Sequence, residues 1–103
     1  MTNSEPTVDT GDVRVTHVAG EDRYAITVDG RRVGLLDYRR HGDVLDLDHT
    51  EIDPAFGGRG LGAHLVRDAL DDVRSRGFTV RPRCSFVRKF IERNPGYADL
   101  AAP

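Results

Sequence analysis

The chain contains one cysteine, Cys84, so no internal disulfide can hold it together. No apolar run approaches the ~20 residues that a membrane-spanning helix needs, and the polar start, Met1 to Gly11, lacks the apolar stretch of a secretory signal. These absences predict a cytoplasmic protein. Recurring metal-ligand spacing is missing too: His17, His41, His49, His64 and Cys84 form no Cys-x-x-Cys or His-Glu-x-x-His pattern, so no metal is expected. With 103 residues, 38% hydrophobic and 31% charged, there is material for one small domain with a modest core and no room for a second.

The formal net charge of -2 hides an asymmetry. Residues 1–58 hold six Arg against twelve Asp or Glu, whereas residues 59–93 hold nine Arg or Lys against four acids. A basic second half suits an anionic ligand. Nucleic acid is one such ligand, given Arg74, Arg76, Arg81, Arg83, Arg88, Lys89 and Arg93. No aromatic interleaving or known binding motif accompanies these cations, and the pI near 6.0 places that reading behind a smaller anion.

Thr2 to Asp12 is polar, carries Pro6 and has no periodicity, which predicts a flexible tail over residues 1–12. Period-two alternation follows at Val13 and Val15, Tyr24 to Val28, Val33 and Leu35, and Leu45 and Leu47. Ala19 to Asp22, Asp29-Gly30 and His41 to Asp43 are tight turns between them, so the first half reads as a four-stranded antiparallel meander. The period then changes: Leu61, Leu65, Ala69 or Leu70, and Val73 mark a helix that Gly77 ends. Phe78 to Arg83 reads as a fifth strand parallel to the fourth, and Ser85 as the cap of a second helix with a Phe86, Val87, Phe90 and Ile91 stripe, stopped at Asn94-Pro95-Gly96. The expected order is β-β-β-β-α-β-α, an α/β (α+β) domain over residues 13–100.

Gly57-Gly58-Arg59-Gly60-Leu61-Gly62 lies at the turn from strand four into the first helix. A glycine-dense turn there exposes backbone N–H groups at the positive end of a helix, where a phosphate can dock. A Walker loop is excluded because no Lys follows the glycines. Gly58, Gly60 and Ala63 formally satisfy a dinucleotide fingerprint, but the loop follows an antiparallel meander and the next strand ends in Arg81 and Arg83 rather than an acid. The bland alternative is a surface turn whose glycines relieve sterics.

Asp53 to Leu65, with His49-Thr50-Glu51-Ile52 before it and Cys84 to Val87 and Asn94 to Tyr97 after it, resembles the GNAT superfamily of acetyl-CoA-dependent N-acyltransferases. The resemblance covers most of residues 13–100 and implies a minimal GNAT-type fold that binds acetyl-CoA or another acyl-CoA and transfers its acyl group to an amine acceptor. It implies cofactor contacts at Gly57, Gly58, Arg59, Gly60, Leu61, Gly62 and Ala63. It further implies a pantetheine arm held between strands four and five near the backbone of Thr50 and Ile52, with Arg88 supplying charge. A non-catalytic acyl-CoA-binding or interaction module is the alternative reading. The superfamily's leading Arg or Gln falls on Gly57, its frequent tyrosine acid falls near Ile91, and two helices that build an acceptor wall are replaced by Ala19 to Asp22.

Three residues are candidates for chemistry. Cys84 precedes a helix and has Arg81, Arg83 and Arg88 nearby in sequence, a setting that stabilises thiolate. The resemblance places it beside the thioester as a transient acyl carrier, against the alternative of a small buried hydrophobe. His49 and Glu51 lie two apart on a strand, share a face if the strand is regular, and are candidate bases for the amine proton, against the alternative of ordinary surface polarity. Asp46 and Asp48 read as the solvated face, and His64 as structural or solvent-facing.

Overall fold

In the computed structural model, residues 11–103 are described. Most of the expected tail falls on residues 1–10, outside the described residues. Asp12 is tied down: its N–H donates to Asp29 Oδ1 at 2.8 Å, and its carbonyl accepts from Asp29 N at 2.9 Å.

Strands β1 (Val13–Val18), β2 (Arg23–Val28), β3 (Arg31–His41) and β4 (Val44–Ile52) form the antiparallel meander. Helix α1 (Leu61–Ser75) crosses over to β5 (Thr79–Pro82), which pairs in parallel with β4, and α2 (Ser85–Arg93) follows. Sheet order is chain order, β1 to β5. The expected architecture is the observed one. The β2–β3 turn works because Asp29 and Gly30 both take positive φ, 51° and 83°, as a tight hairpin of matching twist requires. Gly77, at φ 75°, ends α1 with Phe78 N donating to Val73 O and Gly77 N to Arg74 O, so two of the last helical carbonyls are satisfied.

The helices cover one face of the sheet. Tyr24, Ile26, Leu36 and Leu47 pack there against Leu65, Val66, Leu70 and Val73, all fully buried. Two register shifts alter the expected alternation. Ile26 pairs with Gly34 and Thr27 with Arg32, so Val33 is an extra residue, and Leu36 rather than Leu35 faces the core. Asp37 pairs with His49 and Tyr38 with Leu47, so Asp48 is the extra residue on β4.

Asp46 corrects the expected solvated face. It points to the helix-free side, yet it is only 3% exposed. Its cross-strand partners are Arg39 on β3 and Arg81 on β5, and both guanidinium groups fold over it, at 3.5 and 2.8 Å, with His41 at 3.4 Å and Arg83 at 3.8 Å. The hydrogen bond from Arg81 holds its carboxyl below the usual range, against the opposing effect of burial.

The start of α2 differs in detail. Cys84, not Ser85, occupies the N-cap, and Ser85 is already helical. Phe86 is 43% exposed and leaves the expected stripe, so Val87 alone is fully buried on α2. After α2, Pro95–Leu100 forms a 3-10 segment clipped to α1 by Arg74 to Asp99 (2.8 Å) and by Tyr97 Oη to Asp71 (2.7 Å). Ala102 N then donates to Val80 O at 2.7 Å and covers the β5 edge.

Candidate active site

Between β4 and α1 the chain makes a short 3-10 turn, Pro54–Phe56, whose N-cap Asp53 accepts from Ala55 N at 2.9 Å. Gly58 and Gly60 follow with φ of 78° and 73°, backbone that side-chain-bearing residues rarely adopt. Gly60 is the N-cap of α1, with no capping side chain and no acid in the first turn. The N–H groups of Leu61, Gly62 and Ala63 therefore end a 15-residue helix whose positive pole has neither a capping side chain nor a first-turn acid among the described residues. Arg59 lies over the Phe56 ring at 5.0 Å, and Gly57 N donates to Pro54 O at 3.1 Å.

Beside this loop the sheet forks. β5 pairs with β4 only from Val44 to Leu47, while β4 continues to Ile52. The split is set at Leu47, whose carbonyl accepts from both Arg83 N and Cys84 N at 3.0 Å, turning β5 away into α2. Asp53 N donates to Val33 O on the β3 side, so by strand alternation the N–H and C=O groups of Ile52 and Thr50 point the other way, into the fork. Cys84 sits at the fork's closed end, half-buried, its Sγ donating to Thr50 Oγ1 at 3.5 Å. Burial pushes the thiol up, but the Thr50 contact and the α2 amides of Val87 and Phe86 outweigh it and hold it below its ordinary value.

His49 and Glu51 do share a face, with Nε2 3.0 Å from Oε1, because the Asp48 bulge ends just before them. Both are well exposed on the helix-free side, since His49 pairs with Asp37 and Glu51 with Leu35. Thr50, paired with the buried Leu36, lies on the helix side with Cys84. The fork therefore separates two chemistries: a thiol on one face and an imidazole–carboxylate pair on the other.

A groove of about 470 Å³ runs between α1 and α2 from the loop, lined by Ala63, Arg67, Phe86, Lys89, Arg93 and Tyr97 among others. Phe86 forms its mouth: a Cβ on Gly62 would come within 2.8 Å of Phe86 Cζ. Arg88 lies elsewhere, its Nη1 donating to Arg83 O at 2.7 Å and Pro82 O at 3.2 Å. Sequence reasoning named Lys89 and Arg93 only as part of a general basic half and missed Arg67, although the 86, 89/90, 93, 97 spacing is a single helical face continued into the next turn. The other basic residues are largely consumed internally: Arg74 by Asp99, Arg76 by Asp72, and Arg81 and Arg83 by Asp46. Among the described residues no group of three or more His, Cys, Asp or Glu converges as a metal site requires.

Residues 23–100 match the family described as GCN5-related N-acetyl-transferase. The chain belongs to the GCN5-related N-acetyltransferase family. It is similar to Protein NATD1 of Mus musculus, 32% identical over 90 residues covering 82% of this chain and 79% of that one. Protein NATD1 of Homo sapiens is 32% identical over 88 residues, covering 81% and 75%. Among solved structures, a GCN5-like protein from Staphylococcus aureus shares the fold with a TM-score of 0.66 at 22% identity, over 92% of this chain and 91% of that one. The ribosomal-protein-S18-alanine N-acetyltransferase from Escherichia coli does so at 0.58 and 19%, over 70% of this chain and 50% of that one.

Only the 3-10 turn Ala19–Glu21 joins β1 to β2, so the face carrying His49 and Glu51 stays open on that side. Ile91 is partly buried and packs against the core. Gly57 carries no side chain, and the backbone N–H groups at the start of α1 follow it directly in the chain.

Proposed function

We propose that the chain is an acyl-CoA-dependent N-acyltransferase that moves acetyl from acetyl-CoA to an amine. One observation carries this reading: the uncapped N-terminus of α1 and the open fork between β4 and β5 lie side by side, with a thiol at the fork's closed end. The pyrophosphate would take the N–H groups from Gly58 to Ala63, the pantetheine amides those of Thr50 and Ile52, and the phosphorylated nucleoside the groove of Arg67, Lys89 and Arg93.

The Cys84 thiolate then adds to the thioester carbonyl, the carbon–sulfur bond to CoA breaks, and CoA leaves as thiolate and takes up a proton. An amine that reaches the fork then attacks acetyl-Cys84, gives its proton to solvent and restores the Cys84 thiolate; in the alternative route an amine entering from the open face, where Glu51 and His49 lie, attacks the thioester directly and passes its proton to one of them. The solvent exposure of His49 and Glu51 favours a second reading as a non-catalytic acyl-CoA-binding module.

Incubation with acetyl-CoA, followed by intact mass and free-thiol release, separates them. Transfer through Cys84 leaves a thioester-labile acetyl group on the protein, which Cys84→Ala abolishes together with turnover. Turnover that persists in Cys84→Ala and falls in Glu51→Gln indicates direct attack of the amine. Binding without turnover selects the module, and no binding removes both readings.

A further inference from the structure

We propose that the cavity between β1–β3 and the C-terminal end of α1 is a second small-molecule site, complementary to a zwitterion that carries one ammonium and one carboxylate, of the size of the smallest free amino acids. It is independent of the acyl-transfer reading: it lies at the far end of the 15-residue α1 from the glycine loop, about 20 Å away at about 1.5 Å per residue.

The cavity holds about 150 Å³, the volume of about five water molecules at about 30 Å³ each. Two opposite charges line it without meeting. Asp22, held at φ 54° in the tight β1–β2 turn, makes no side-chain hydrogen bond or ion pair among the described residues. Arg40 lies 4.7 Å over the Phe78 ring and donates to Gly42 O at 2.9 Å, with no carboxylate in ion-pair reach among the described residues.

The remaining polar groups are already spoken for. Arg76 is neutralised by Asp72 at 2.7 Å, and Asp72 also accepts from Tyr24 Oη at 2.7 Å. His17 stacks on Tyr24 with ring centroids 4.6 Å apart, and its Nε2 meets Tyr38 Oη at 2.6 Å. That network leaves Asp22 and Arg40, both solvent-exposed at the rim of the cavity, as the lining charges without an ion-pair partner among the described residues. An ammonium at Asp22 and a carboxylate at Arg40 would satisfy both, with Leu45 and Phe78 against the ligand's carbon. A simple anion or cation would satisfy only one.

The test is an NMR titration of the full chain with glycine and alanine, and with acetate and methylammonium as half-ligands. Saturable shifts are expected at the amides of Asp22, Tyr38 and Arg40, with each half-ligand at least about tenfold weaker. Asp22→Asn keeps the left-handed turn, which Asn tolerates, and is expected to weaken glycine binding at least about tenfold; Arg40→Gln is expected to do the same. Absence of saturable shifts up to about 50 mM zwitterion, or acetate binding as tightly as glycine, overturns the proposal.

Discussion

Replacing Gly60 by Asp and by Asn tests the anion site with one atom of difference. Gly60 is at φ 73°, where an L side chain costs about 1–2 kcal/mol, and a Cβ there meets nothing within 4 Å. Both variants are therefore expected to fold, with melting temperatures close to one another, because Asn and Asp enter the left-handed region with similar ease. They differ in charge at the positive end of α1. A unit charge about 5 Å from one phosphate charge costs about 0.8 kcal/mol at a dielectric of 80 and about 3 kcal/mol at 20. Gly60→Asp should thus bind CoA about fourfold to about two hundred-fold more weakly than Gly60→Asn, measured by calorimetric titration at one ionic strength. Since the effect is electrostatic, the gap should narrow as salt is added. Equal CoA affinity for the two folded variants would falsify the placement of the pyrophosphate on this loop.

Cys84→Ala should retain CoA affinity while losing the thioester-labile acetyl mass, read by mass spectrometry after acetyl-CoA exposure; an acetyl group on another residue would relocate the chemistry. Gly34→Ala should destabilise by about 1–3 kcal/mol in urea unfolding, because its Cβ would run into Ile52 Cδ1, Ile26 Cγ2 at 2.9 Å and the Glu51 carbonyl at 2.8 Å. A Gly34→Ala variant as stable as the parent would mean that the end of β4 shifts freely. Asp46 has its pKa lowered chiefly by the Arg81 hydrogen bond, so its stabilisation is fully present above the unfolded value of about 3.9 and is lost as pH falls through the lower folded value. Asp46→Asn should therefore lower the urea midpoint at neutral pH and flatten the acid loss, whereas an unchanged pH profile would show that the three guanidinium groups around it act only by packing.

Local chemistry made most of the fold readable in advance. Asp29-Gly30 demanded a hairpin, and the Leu61 to Val73 stripe demanded one buried helix face. Long-range register was not readable. An alternating Leu-Asp-Leu-Asp run says that Asp46 faces away from the core, which it does; only the pairing with Arg39 and Arg81 shows that it is nonetheless covered. The Val33 bulge moved Leu35 off the core face for the same reason: one extra residue flips every side chain that follows. At the candidate site the glycine loop was legible because positive φ selects glycine. The fork was implied by family resemblance alone, since it depends on where β5 leaves β4. Arg88 was chosen for its charge, while helical phase points to Lys89 and Arg93 on the groove side of α2.

Titrating isotope-labelled full chain with acetyl-CoA, and following backbone amide shifts residue by residue, tests the cofactor site most directly. Saturable perturbations are predicted at Gly58 to Ala63, at Thr50 and Ile52, and at Cys84, with weaker ones along Arg67, Lys89 and Arg93. Unmoved amides across the glycine loop and the fork at saturating acetyl-CoA would contradict the site and, with it, the proposed transfer.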